Sequence, residues 1–296
     1  MSVLCVVDYV LGVTQLHGVV FVVCRWSSTI LRFNATTHQQ LTGIVVKDLE
    51  FPLDIAACEL TSHVYVAEYE CILRVSADGA DIKHWLPKSP DDTFKPWALS
   101  VTSTRLLVTP YDTKLMQFDA DGNELRRVHL PDYMEPLHAV ESPTGTFIVS
   151  HYTQLKQWQV SEVNTGGEVL RQFTGSRLSP LGRPIHVAVD SHGNIFVADC
   201  NNRRISLLDA QLTLRRVIID EHQLNYKSPG CLCYREQSGQ LVVGLLWGVS
   251  VFDVVHFPPK FLQKKRFPPY FFHGAFAPSF ILSRRPWLRL RLRLRK

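Results

Sequence analysis

No Cys-x-x-Cys pair occurs among the seven cysteines of this 296-residue chain, which stand at positions 5, 24, 58, 71, 200, 231 and 233. Zinc ribbons and RING-type modules need that spacing, and an odd cysteine count argues against a disulfide framework. Cys24, Cys58, Cys71 and Cys231 lie in or beside apolar runs, where buried thiols are the ordinary expectation. A reducing compartment fits this usage, and a cytoplasmic protein is expected. Catalytic signatures are missing too. The chain has no Gly-x-Ser-x-Gly, no Gly-x-x-x-x-Gly-Lys and no His-Glu-x-x-His, so no nucleophile elbow, phosphate loop or zincin helix is present and no cofactor is expected. Nor is there an apolar run suited to crossing a bilayer. Asp8, Gln15 and His17 interrupt the N-terminal stretch, no basic residue precedes it, and residues 271–282 are too short and contain His273, Gly274 and Pro278.

Acidic side chains are absent from residues 258–296, which hold eleven of the 32 basic ones. The preceding 257 residues therefore carry 21 basic against 27 acidic side chains, and the formal net charge of +5 conceals a mildly acidic body. Such a body does not force a nucleic-acid face. The end of the chain differs in kind from the rest. Two Phe-Pro-Pro triplets break any strand, and LRLRLRLRK at 288–296 is a two-letter alternation found nowhere else. Residues 258–296 are read as a basic, proline-containing tail outside the fold of residues 1–257.

What fills those 257 residues is a repeat. Apolar, β-branched runs ending in a small or polar residue recur at Cys24, Ala67, Thr109, Ser150, Ala198 and Gly244, at intervals of 41–48 residues. Third runs follow each anchor and end at Phe33, Val75, Phe118, Trp158, Leu208 and Phe252, and prolines at 52, 96, 136, 184 and 229 open five of the six units. Fourth strands are read at Glu124–His129, Glu168–Phe173 and Leu212–Ile218. Four short strands in about 40–45 residues is the period of a β-propeller blade. The expectation is an all-β, six-bladed propeller of four-stranded antiparallel blades. Because the first unit has a strand to spare and the last lacks one, Val3–Val7 is expected to close the ring as the outermost strand of blade 6.

One unit carries a specific motif. Pro184-Ile185-His186-Val187-Ala188-Val189-Asp190, Gly193-Asn194-Ile195-Phe196-Val197-Ala198-Asp199 and Asn202-Arg203-Arg204-Ile205 resemble the NHL repeat, as found in tripartite-motif/NHL proteins. The match is strongest at residues 182–210 and degenerate in the other five units. The resemblance implies an interaction platform and scaffold rather than an enzyme, although some relatives are catalytic.

Three readings of function follow. Two residues after each anchor stand Trp26, Tyr69, Tyr111, Tyr152, Cys200 and Leu246, with Trp247 one further on. In a propeller these loops share a face, so Trp26, Tyr69, Tyr111, Tyr152 and Trp247, with Arg203 and Arg204, are the candidate binding face. Converging aromatics suit a protein or peptide partner, which is the favoured reading, while single-stranded RNA stacked on the rings is the alternative. Loop filler packed over its own blade is the competing account. The tripartite-motif resemblance also implies RNA binding through a positive face, which the mixed charges here match poorly. The third reading is a metal-dependent propeller enzyme of lyase or lactonase type. His138, His186 and Cys231 each lie two residues after a unit's proline, on three consecutive blades, and imidazole and thiolate are good zinc ligands. Asp54 occupies the same position in an earlier unit. Ordinary channel-lining side chains are the blander account, and no catalytic residue is assigned.

Overall fold

A computed structural model describes residues 2–4, 9–47, 49–86, 94–176 and 179–254. The described chain is all-β, in six four-stranded antiparallel sheets, five of them with strands in sequence order, and a short pair of Gly175–Ser176 with Ser179–Pro180. Blade 1 comprises Val10–Leu16, Val19–Cys24, Thr29–Asn34 and Gln40–Val45. Blades 2 to 5 begin with inner strands Pro52–Cys58, Pro96–Thr102, Met134–Glu141 and Pro184–Val189. Blade 6 consists of Pro229–Arg235, Gln240–Leu245, Gly248–Asp253 and, as its outermost strand, Ser2–Leu4. The N-terminal strand pairs Ser2 with Val251 and Leu4 with Val249, so the last blade is completed by the beginning of the chain. Of the expected closing strand Val3–Val7, residues 5–7 lie outside the described residues, as does the expected tail at 258–296. Among the described residues no helix is long and apolar enough to cross a membrane.

Burial follows strand position. Second strands such as Val64–Ala67 and Ile195–Ala198 are buried on both sides, which explains why they read as continuous apolar runs. Fourth strands such as Glu124–His129 face water on most residues and read as polar. Apolar clusters fill the spaces between consecutive blades. Leu16, Phe21 and Ile30 of blade 1 pack with Ile55, Val64 and Leu73 of blade 2. Leu107 and Leu115 of blade 3 pack with Met134 and Phe147 of blade 4. The seam between blades 6 and 1 joins Cys231, Val242 and Val249 to Val10, Val13 and Val22, so the ring closes through the same kind of core that joins blades 1 to 5 in succession. Each such fully buried side chain contributes about 1.5–3 kcal/mol.

Two expectations of register need correction. In blade 4 the third strand is Trp158–Val163, not a run ending at Trp158. Residues 155–157 form a loop, with Leu155 82% exposed, because the second strand continues through Thr153 and delays the hairpin. In blade 1 the residue matching Ala67 and Ala198 is Val23 rather than Cys24. Gly12 pairs with Val23 as Asp54 pairs with Ala67 and His186 with Ala198. The backbone agrees, since Arg25 N–H donates to Tyr9 O as Tyr111 N–H donates to Lys95 O and Cys200 N–H to Arg183 O. Trp26 therefore stands one position beyond the register of Tyr69 and Tyr111.

One irregularity recurs in every blade. The pairing of first and second strands slips between Val10 and Gly12, Pro52 and Asp54, Pro96 and Ala98, Pro136 and His138, Pro184 and His186, and Pro229 and Cys231. These are β-bulges, in which one extra residue redirects the side chain that follows. Proline suits the position, because it needs no ladder donor at a bulge or strand start. The residues that emerge at one level of the six inner strands are Gly12, Asp54, Ala98, His138, His186 and Cys231.

Candidate functional site

The strand order sends the 2–3 loops and the blade-to-blade connections to one face and the 1–2 and 3–4 turns to the other. On the first of these, the loop face, lie all the exposed large aromatic side chains of the described residues: Trp26, Phe51, Tyr111, Tyr133, Tyr226 and Trp247. Trp26 is 68% exposed and Trp247 54%. The turn face adds Leu60 alone to the exposed large apolar residues. Trp26 and Tyr226 sit at φ 59° and 60°, a left-handed conformation that bulky residues adopt only where surrounding structure imposes it.

Of the expected binding face, Trp26, Tyr111 and Trp247 are exposed, whereas Tyr69 and Tyr152 are half-buried. Tyr69 lies under the Lys95 ammonium at 5.0 Å, and Tyr152 packs at 4.3 Å on Trp158, so these two rings are partly loop filler. Tyr111 leans on Trp97 at 4.5 Å, and Arg25 covers Trp26 at 4.2 Å. The two arginines differ. Arg204 donates to Asp199 at 2.8 Å, and Asn202 donates to the same carboxylate oxygen at 2.8 Å, which locks the blade 5 loop. Arg203 is exposed at φ 49°. Phe51, Tyr133 and Tyr226 fall outside the register counted forward from the anchors, and sequence reasoning missed them. Their signal is an aromatic residue one to three positions before the inner-strand proline.

Beneath this face the bulge positions of blades 2, 4 and 5 converge. One ligand atom from each of Asp54, His138 and His186 lies within 4.8 Å of the others. Asp54 Oδ2 is 4.0 Å from His138 Nε2 and 4.0 Å from His186 Nε2, and the two imidazoles stack with centroids 3.5 Å apart. The backbone of Leu99 in blade 3 orients two of the three. Its N–H donates to Asp54 Oδ2 at 2.8 Å, and its carbonyl lies 3.2 Å from His138 Nε2. Small residues make room, since a Cβ on Gly12 would meet Asp54 Oδ1 at 2.8 Å and Ile55 N at 2.7 Å.

Burial governs the charges. It raises the Asp54 carboxyl to about 7, against the pull of two backbone N–H donors. It lowers His138 to about 4 and, helped by the neighbouring His138, holds His186 well below the usual imidazole range. Both imidazoles are therefore neutral at neutral pH. Nδ1 of each is buried with no hydrogen-bond partner in the protein.

Cys231 shares the ring level but turns elsewhere. Its Sγ lies over Gly244, where a Cβ would approach it to 2.2 Å, and it packs in the apolar seam with Val10, Val13 and Cys24. Burial drives its thiol well above the usual value. The structure thus groups His138 and His186 with Asp54, and Cys231 stands in the core between blades 6 and 1.

No protein-family model and no curated protein sequence matches the chain. Solved structures match it in fold. Hydrazine synthase of Kuenenia stuttgartiensis aligns with a TM-score of 0.63 at 12% identity, over 84% of this chain and 96% of that one. A gluconolactonase of Xanthomonas campestris gives 0.62 at 14%, over 84% and 88%. A chain of a nidogen–laminin complex gives 0.57 at 16%, over 72% and 81%. At these identities the similarity shows the propeller and nothing finer. Catalysts and a protein-binding assembly occur side by side among the neighbours.

Proposed function

We propose that the protein is a non-catalytic interaction module of the NHL type that takes a protein or peptide on its loop face, in the cytoplasm, with residues 258–296 outside the folded ring. The observation that carries this reading is the placement of six exposed aromatic side chains on one face, two of them held in left-handed backbone. Exposed aromatics gathered on one face of a scaffold are the composition of protein-recognition surfaces. The charges around them are of both signs, with Arg25, Lys95 and Arg203 beside Glu70, Asp112 and Glu135, which suits a polypeptide better than a phosphate backbone. The blade 5 sequence supports the NHL assignment.

A peptide array probed with the full chain tests this. Selected peptides should lose affinity at least about tenfold in the Trp26→Ala, Tyr111→Ala, Trp247→Ala triple variant, as hot-spot aromatics do, while its Tm stays within a degree or two. Single-stranded RNA binding that falls with salt and is abolished by the same triple variant would replace the peptide reading with the RNA one. Binding that survives both the triple variant and a second one, Phe51→Ala, Tyr133→Ala, Tyr226→Ala, would remove the function from this face.

A further inference from the structure

Outside the aromatic face, the group of side chains that packing explains least is the one beneath it. Asp54, His138 and His186 come from three different blades and from sequence positions far apart, yet each emerges from the same bulge at the same level. Backbone groups partner the Asp54 carboxylate and His138 Nε2, but the three side chains do not hydrogen-bond one another. At 4.0 Å the carboxylate oxygen is beyond hydrogen-bond reach of either imidazole. The two buried Nδ1 atoms have no partner. Unsatisfied buried polar atoms are costly, about 1–3 kcal/mol each, and native structures keep few without a reason.

We propose that Asp54, His138 and His186 form a binding site for one divalent first-row transition ion, of zinc or cobalt type, at the centre of the ring just below the loop face. Tetrahedral coordination with bonds of about 2.0–2.1 Å sets donor atoms roughly 3.3 Å apart. The carboxylate oxygen stands 4.0 Å from each imidazole nitrogen and all three ligand atoms lie within 4.8 Å of one another, somewhat wider than that, so a modest closure brings them to an ion. Two imidazoles and one carboxylate are a nitrogen-rich set, which selects zinc, cobalt, nickel or iron(II) over calcium and magnesium, whose sites are built of oxygen. The outer hydrogen bond in place is that from the Leu99 N–H to Asp54 Oδ2, which orients the carboxylate as outer partners orient metal ligands; His138 Nε2 exchanges its contact with the Leu99 carbonyl for the ion on binding. The remaining positions of the ring are consistent with a site built around these three. Gly12 and Ala98 are small and leave the carboxylate its space, and Cys231 is committed to the apolar seam. Three protein ligands leave a fourth position for water or a ligand group, on the side of His186, the one member whose side chain reaches solvent, at 12% exposure. The site stands independently of the peptide reading.

The test uses tag-free full-length protein stripped with a chelator and titrated with Co2+, followed by its visible d–d absorption, and with Zn2+, followed by calorimetry. The expected result is one ion per chain, with affinity reduced on the order of 10–100-fold or more in each of His138→Ala, His186→Ala and Asp54→Asn. Cys231→Ala should leave affinity and spectrum unchanged, with no thiolate-to-cobalt charge transfer in the wild type. X-ray absorption on the zinc-loaded wild type reads the shell directly even where a variant fails to fold, and should show imidazole nitrogen and oxygen without sulfur. Less than stoichiometric binding, stoichiometric binding retained in the His138→Ala, His186→Ala double variant, or a shell containing sulfur or oxygen alone overturns the proposal.

Discussion

The two faces of the ring are made by different kinds of loop, and the difference separates what holds the fold from what is free to meet a partner. On the turn face the chain reverses through local chemistry. Asn34, at the end of its third strand, and Asp119, Asn164 and Asp209, each just after one, accept hydrogen bonds from backbone N–H groups two to four residues on. Asp190 does the same in a 1–2 turn. These are Asx turns, fixed by a few neighbouring residues and indifferent to the rest of the molecule. Long-range ties occur on both faces, as between His17 and Ser62 or Ser191 and Glu236 on the turn face, and those of the loop face include buried carboxylates. Glu68 accepts from the N–H groups of Glu50 and Phe51, 18 and 17 residues away, and Asp199 fixes Asn202 and Arg204. Between those ties the aromatic side chains project into solvent. A rigid frame with exposed apolar side chains is the arrangement expected of a recognition surface.

Cutting a tie of the loop face should have the largest effect. Asp199→Ala removes the buried carboxylate that pairs with Arg204 and accepts from Asn202, and should cost about 3–5 kcal/mol, the usual penalty for removing one partner of a buried pair, as read by urea unfolding. A loss below about 1 kcal/mol would mean that the loop face is held by something else. His151 offers a pH handle on the same face. It is buried, lies 2.8 Å from Ser161 Oγ, and burial lowers its pKa to about 4. The unfolded chain, with imidazole near 6.5, takes up a proton that the folded chain refuses, so the stability His151 confers is present above pH 6.5 and is lost as pH falls toward 4. Between pH 7 and pH 4, His151→Gln should gain on the wild type by roughly 2–3 kcal/mol. A constant difference across that range would show that the imidazole is hydrated.

Smaller effects are expected where a turn or an exposed side chain is altered. Asp119→Ala removes the acceptor of one Asx turn and should cost about 1 kcal/mol, comparable to loss of a helix cap, with peptide and cobalt affinities unchanged. A change in either affinity would couple the turn face to function. Trp26→Ala is the mirror case: stability within about 0.5 kcal/mol of wild type, but weakened partner binding. Should its Tm fall by many degrees, Trp26 is structural and the loop face is less free than its exposure implies.

Much of this architecture is legible in the order of the residues. Prolines at 52, 96, 184 and 229 open inner strands as the repeat implies, and the closing role of the N-terminal strand follows from a surplus at one end and a deficit at the other. Where periodicity misleads, it does so through local length. The second strand of blade 4 runs three residues past its expected end, and blade 1 lacks the proline that would set its register. Neither departure leaves a mark in the apolar pattern. The aromatic residues before the inner-strand prolines are plain in the sequence, but they gain meaning only from which loops share a face.

Blade count, the antiparallel plan and the level of the ring at which Asp54, His138, His186 and Cys231 emerge are properties of the sequence alone, because strand alternation, turn residues and bulge-tolerant prolines act within a few residues of chain. Which of those four meet is a matter of tertiary packing. Asp54 reaches the histidines because Gly12 and Leu99, from blades 1 and 3, leave it space and a donor. Cys231 turns into the seam because Gly244 beneath it and Val10 across it offer an apolar bed. A side chain's direction after a bulge is set by what the neighbouring blades place beside it, and those neighbours are assembled from parts of the chain that only folding brings together.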